Sequence, residues 1–198
     1  MIVFGITGGS GSGKTSVSKM LEKLGVHIID TDVIAHEIVE PNSDCLNELV
    51  DYFGYSILND DKTLNRKKLA SIAFSDKQKT VALSNITHKY IKAEVVKDIN
   101  TTDAELVGVD GAVIIGSNVE PLCEFIVSVI ADKQSRITRI KTRDNITDEQ
   151  AIQRINAQND DEFYKENSMY IIYNNGDIAQ LESDVVGLFN KIKGNSFE

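Results

Sequence analysis

Apolar residues recur along the chain with two periods, and the alternation between them predicts a β/α architecture. Short β-branched runs lie at Ile2, Val3, Phe4 and Ile6, then at 26–29, 106–110, 125–131 and 170–173. Unbroken apolar runs of that length suit strands buried on both faces. Elsewhere apolar side chains fall three and four apart. Val17, Met20, Leu21 and Leu24 mark a first helix, with Gly25 as the residue that ends it. A helix over 33–39 follows, and Pro41-Asn42 break the chain. Leu46, Leu49, Val50 and Phe53 mark the next helix, stopped at Gly54, and 55–63 reads as a polar turn region. Asn65 is placed to cap a helix through Phe74, and Ser75 to cap a longer one from 76 to about 100. The pattern Thr147-Asp148-Glu149-Gln150 is a capping box that opens a helix carrying Ile152 and Ile155. The last helix is expected to bury Ile178, Leu181, Val185, Val186, Leu188 and Phe189, with a frayed tail from Lys193. Five strands alternating with helices predict a parallel sheet covered on both faces. The helices between the second and third strands are too many for a simple crossover and predict an inserted helical subdomain.

The first strand runs into residues 8–15, Gly-Gly-Ser-Gly-Ser-Gly-Lys-Thr, a full match to the P-loop pattern at the strand-to-helix turn it requires. Glycines let backbone N–H groups wrap a phosphate without Cβ clashes, and the following helix adds its positive end. Lys14 can reach β- and γ-phosphates, and the Thr15 hydroxyl can ligate Mg²⁺.

Carboxylates stand where later strands end. Asp30 and Asp32 follow the second strand, where they suit metal or proton chemistry or the capping of the next helix. Asp110 closes the third strand in the manner of a Walker B residue that helps hold Mg²⁺, directly or through water; a strand-end turn is the alternative. After the fourth strand come Lys133, Arg136, Arg139, Lys141 and Arg143. Arg136, Arg139 and Arg143 share one helical face, either a solvated surface or a set of forks for phosphate oxygens. Asp144-Asn145 break this helix from the next, giving a basic helical hairpin of the form of a lid.

The rest of the composition narrows the choice. The chain has 198 residues, 30 acidic against 21 basic, for a net charge of −9. Such a surface repels nucleic acid, so a polyanionic ligand must meet local basic clusters. Two cysteines, Cys45 and Cys123, are too few for a disulfide framework and read as small core side chains in a reducing cytoplasm. No apolar run reaches membrane-spanning length, and no cleaved signal is expected ahead of the P-loop. A switch GTPase would carry Asn-Lys-x-Asp, whereas Asn174-Asn175-Gly176-Asp177 lacks the lysine. Asp51-Tyr52-Phe53-Gly54 matches D-x-x-G on a helix end rather than after a strand.

Taken together, these residues resemble the dephospho-CoA kinase family over nearly the whole chain. The matching pieces are Ile6-Thr7-Gly8-Gly9 through Gly13-Lys14-Thr15, and Ile29-Asp30-Thr31-Asp32 with Ile34-Ala35. They continue with 64–69, His88, Arg139 with Arg143-Asp144, Gln158 and Asn174-Asn175-Gly176. The resemblance implies a P-loop NTPase fold with an adenylate-kinase-like five-stranded core over 1–40, 104–131 and 168–198. It implies a helical CoA-binding insertion over 41–103 and a lid over 132–167, within one domain of 1–198. The implied activity is ATP-dependent phosphorylation of the ribose 3′-hydroxyl of dephospho-CoA, with Mg²⁺, by a cytoplasmic monomer or weak homo-oligomer that needs neither nucleic acid nor membrane. The resemblance makes Asp32 the base, with Lys14, Arg139 and Arg143 neutralising the transferring phosphoryl group. It places ATP on Gly9, Gly11, Ser12, Gly13, Lys14, Thr15 and Ser16, with adenine near Asn175 and Gly176. Asp32, Arg66, His88 and Asp110 fall on the acceptor side, and Thr15 on the metal. The chain departs from the family pattern at 112–116, at Lys89 after His88, at Ser168-Met169, and at Arg136, where a glutamine is usual. The donor half is thus intact and the acceptor half altered, which leaves a P-loop kinase for another nucleotide-like acceptor, or a nucleotide-binding module, as the alternative.

Overall fold

The computed structural model describes residues 1–194. The five expected strands form: β1 (Ile2–Thr7), β2 (His27–Asp30), β3 (Leu106–Asp110), β4 (Phe125–Ile130) and β5 (Tyr170–Tyr173). They make one sheet in the order β2-β3-β1-β4-β5. β1 pairs in parallel with β3 and β4, and β4 with β5. β1 is therefore central, and its carboxyl end is flanked by those of β3 and β4, where parallel sheets place ligands.

Contacts divide the chain into two compact units, Met1–Ile29 with the chain from Thr102 onward, and Asp30–Thr101. In the first, α1 (Lys14–Lys23) and α9 (Ile178–Gly194) bury Val17, Leu21, Leu181, Val185 and Leu188 against Phe4, Ile6, Val127 and Val129. α1 ends in a Schellman turn: the amides of Gly25 and Val26 reach back to the carbonyls of Glu22 and Leu21. The basic hairpin is α6 (Lys133–Asp144) and α7 (Asp148–Asn156), with its own small core of Ile137, Ile140, Ala151 and Ile155. Asn145 in the left-handed region ends α6, and both halves of the expected Thr147–Gln150 capping box are present. In the second unit, α2 (Thr31–Glu37), α3 (Asp44–Phe53) and α4 (Arg66–Ala73) pack on the long α5 (Lys77–Thr101).

Three expectations are corrected, and one element is added. Asp76, not Ser75, caps α5: its carboxylate accepts from the amides of Gln78 and Lys79, while the Ser75 hydroxyl donates back to Ile72 O. Residues Tyr55–Ile57 form a 3₁₀ turn that buries Ile57 within the region read as polar. A short helix, α8 (Asp161–Glu166), follows α7; its acidic and aromatic run has no clear helical period. In α9, Ile178 is 61% exposed and Val186 is exposed as well; Ile192 takes a core place instead. α9 includes Lys193 and Gly194, and the rest of the tail expected to fray lies outside the described residues.

Both cysteines are free. Burial pushes the Cys45 thiol up to about 11 and that of Cys123 to about 12, so both stay protonated at neutral pH.

The core assignment is tested by two substitutions. Leu21→Ala, at a fully buried position, should lower unfolding stability by about 2–5 kcal/mol. Ile178→Ala should change it by no more than about 0.5 kcal/mol. Urea unfolding followed by circular dichroism measures both; equal losses would contradict the burial pattern.

Candidate active site

The loop between β1 and α1 is held by its carbonyls. Gly9 O accepts from the Ser12 amide at 3.0 Å, and Gly13 O from the amides of Ser16 and Val17. Ser10 O accepts from Arg136 Nε at 2.9 Å. Gly11 O and Ser12 O both accept from Arg139 Nη1 at 3.2 Å, and Ser12 O also from Asn174 Nδ2 at 2.8 Å. Each carbonyl from residue 9 to residue 13 thus has a donor. A trans peptide sets its C=O and the next N–H in opposite directions. Pinning Ser10 O and Ser12 O outward therefore turns the Gly11 and Gly13 amides the other way. The amides of Lys14 and Thr15, first in α1, have no carbonyl one turn earlier to accept them. The result is a nest of donors at a helix N-terminus, the backbone form of an anion site.

Glycine is required at two of these positions. Gly11 has φ +77° and Gly13 φ +96°. A Cβ on Gly11 would press on the Arg136 backbone, and one on Gly13 would run into the Asn174 amide.

Lys14 ends at the buried Asp110, with side-chain exposures of 14% and 5%. The other Asp110 oxygen accepts from the Ser18 hydroxyl at 2.7 Å. Removing one member of such a pair leaves an uncompensated buried charge, at a cost of about 3–5 kcal/mol. The Ser12 hydroxyl is buried without a hydrogen-bond partner among the described residues, which marks it as a group awaiting a ligand. Thr15 and Ser16 are exposed at the start of α1.

The arginines predicted from one helical face separate. Arg139 spends its guanidinium on the loop carbonyls and on Asn174, whose O and Oδ1 lie at 3.0 and 3.3 Å. Arg143 is 61% exposed and is gripped by both oxygens of Asp144, which also binds Arg154. Arg136 is buried. Asn175, at the carboxyl end of β5, accepts from the Asp132 amide at 2.8 Å, and Gly176 follows it on the surface.

The remaining candidates belong to the second unit. Asp30 caps α2 by accepting from the amides of Asp32 and Val33, so the capping role falls to Asp30 and not to the exposed Asp32. Arg66 and His88 line one groove of about 290 Å³, with Ala35, Leu49, Leu69 and Ile91 as apolar wall. Arg66 Nη2 lies 2.9 Å from His36 Nδ1.

Sequence reasoning missed Asn174 and Ser18. Asn174 enters the sequence reading only within the segment Asn174-Asn175-Gly176, and only the sheet brings it beside Ser12, 162 positions away. Ser18 lies one helical turn after Lys14, a spacing that could have signalled it.

A loop of this construction at the end of the central strand serves one end, the holding of nucleotide phosphates, and it defines a P-loop kinase fold. Comparison with known proteins narrows this. A family model described as dephospho-CoA kinase matches residues 2–180. The dephospho-CoA kinase of Lactobacillus johnsonii is 34% identical over 191 residues, covering 95% of this chain and 96% of its own. The crystal structure of TT1252 from Thermus thermophilus aligns with TM-score 0.84 at 25% identity, over 96% of this chain and 97% of that one. The structure of dephospho-CoA kinase from Campylobacter jejuni aligns with TM-score 0.71 at 27% identity, over 98% of each chain. The chain belongs to the dephospho-CoA kinase family. Among the described residues, no helix is long and apolar enough to cross a membrane.

The hairpin gives a pH prediction. Hydrogen bonding from Arg143, with Arg154 adding to it, holds the Asp144 carboxyl well below its usual 3.8, at about 2. A carboxyl depressed on folding contributes stability above its unfolded value and loses it as pH falls through its folded one. Between about pH 4 and 2, urea stability should therefore fall more steeply in the wild type than in Asp144→Asn. Superimposable slopes would show that the pair contributes nothing to folding.

Proposed function

We propose that this protein transfers the γ-phosphoryl group of ATP to the ribose 3′-hydroxyl of dephospho-CoA, giving coenzyme A and ADP. The observation that carries the reading is the P-loop whose outward carbonyls are all bound, in a chain of the dephospho-CoA kinase family. The amides of Gly11, Gly13, Lys14 and Thr15 hold the phosphates, aided by Gly9, Ser12 and Ser16, with adenine at Asn175 and Gly176. Lys14 exchanges Asp110 for the β- and γ-phosphates when nucleotide binds. Preorganised donors aimed at developing charge are the strongest aid to phosphoryl transfer, which asks little covalent chemistry of the protein.

Hard oxygen donors fit Mg²⁺, and here these are the exposed Thr15 hydroxyl and the Asp110 carboxylate. Both oxygens of Asp110 already have partners, which favours a role through water. Bound Mg²⁺ would neutralise phosphate charge. Asp110 also counts among the acceptor-side residues, as the resemblance has it.

The acceptor is assigned to the helical unit, where Arg66 and His88 share a groove with an apolar wall. Arg66 suits the acceptor's phosphates as a fork. The proton of the 3′-hydroxyl passes to the Asp32 carboxylate as its oxygen takes the phosphoryl group, and the β–γ bridging oxygen leaves with ADP. Arg139 answers charge on the transferring group from its seat on the Gly11 and Ser12 carbonyls, and Arg143 does so by leaving Asp144. The helical insertion and the basic hairpin then act as acceptor-binding part and lid. The net charge of −9 disfavours nucleic acid, and the reading is of a cytoplasmic monomer or weak homo-oligomer.

Incubation with Mg·ATP and a panel of nucleoside-containing acceptors, with products identified by mass, tests the reading. Dephospho-CoA should gain one phosphoryl group, and Asp32→Asn should lower kcat by roughly 10²–10⁴ while ATP still binds. Phosphorylation of a different acceptor alone would move the protein to another kinase, and full turnover by Asp32→Asn would remove the base.

A further inference from the structure

Arg136 lies in α6, yet only 5% of its surface is exposed, an unusual state for an arginine. Three partners account for it. Its Nε donates to Ser10 O at 2.9 Å, its Nη2 to Gln158 Oε1 at 3.4 Å, and its Nη1 lies 3.5 Å from an Asp161 carboxylate oxygen. Gln158 Oε1 in turn accepts from the Ser10 amide at 2.7 Å. Both backbone polar groups of Ser10 are therefore held, one by Arg136 and one by Gln158, and the two side chains hold each other. The guanidinium lies directly on Gly9, where a Cβ would meet it, and the Arg136 backbone lies on Gly11. Gln158 lies in the segment that joins α7 to α8, and Asp161 opens α8.

We infer that Arg136 is a positioning residue for the phosphate nest: with Gln158 it fixes the Ser10 peptide at the loop's tip, and through Asp161 it ties that tip to the start of α8. The peptide from Ser10 to Gly11 carries one of the N–H groups that must face a phosphate, and among the described residues Arg136 is the side chain that donates to its carbonyl. Freed of Arg136, this peptide can rotate, and the nest loses a preset donor. A lysine in its place could reach Ser10 O but could not span Gln158 and Asp161 at once, since it lacks the planar fork. Asp161 is partly exposed, so its ion pair contributes less than the bond to Ser10. The inference rests on the phosphate-binding reading of residues 8–15, and its readout is nucleotide binding rather than turnover.

Calorimetric titration with Mg·ADP should give a Kd raised about tenfold in Arg136→Gln and by a smaller factor in Arg136→Lys and Asp161→Asn. Amide hydrogen exchange should rise at 9–13 and 157–163 while β1 and β3 keep their protection. Gln158→Ala, which removes the other hold on Ser10, should weaken ADP in the same way and serves if Arg136→Gln does not fold. Wild-type affinity in both Arg136→Gln and Gln158→Ala would overturn the inference. So would loss of binding with exchange raised throughout the sheet, which would make Arg136 a packing residue. Failure of the wild type itself to bind ADP would instead sink the phosphate-binding reading, and the inference with it.

Discussion

The planarity of the peptide group is the constraint on which this site depends. A loop that presents amides to a phosphate must turn carbonyls the other way, and buried carbonyls need donors. Here the donors come from elements far apart in sequence: Arg136 and Arg139 of α6, and Asn174 after β5. The parallel sheet brings them together, because the carboxyl ends of β4 and β5 lie to one side of the end of β1. The fold thus supplies more than a platform. It supplies the hydrogen bonds that keep the nest open before any nucleotide arrives.

The same logic governs the charges. A protein of net charge −9 sets cations of the P-loop and of the basic hairpin against carboxylates. Lys14 rests on Asp110, Arg143 on Asp144, and Arg136 faces Asp161. Each carboxylate keeps a cation from standing unpaired, and each pair sets the cost that a phosphate must offset to recruit that cation. Buried pairs resist exchange more than exposed ones. Arg143, on the surface, can change partners more readily than Arg136.

Much of the fold was legible because strand and helix periods are local properties. The five strands, the Gly25 stop, the Asn65 cap and the Thr147 capping box stand where the pattern put them. Between Asp30 and Asp32, sequence allowed either as cap, and only the hydrogen bonds from the Asp32 and Val33 amides chose Asp30. The misses are long-range. Helical spacing put Arg136, Arg139 and Arg143 on one face but could not tell which would meet the loop and which would turn to Asp144. Asn174 gave no sign of its role because its partner, Ser12, lies at the other end of the chain. Ile178 was apolar and in phase, yet at the start of α9 it stays largely exposed.

The most direct test is the response of the loop's own amides to nucleotide. In ¹H–¹⁵N spectra, adding Mg·ADP should shift the amide protons of Gly11, Gly13, Lys14 and Thr15 strongly downfield, as new hydrogen bonds to phosphate form. The Ser10 and Ser12 amides, already bound to Gln158 and Gly9, should move little. Saturating nucleotide that leaves Gly11 and Gly13 unmoved, or that shifts Ser10 as strongly as its neighbours, would contradict a nest preset by its carbonyls.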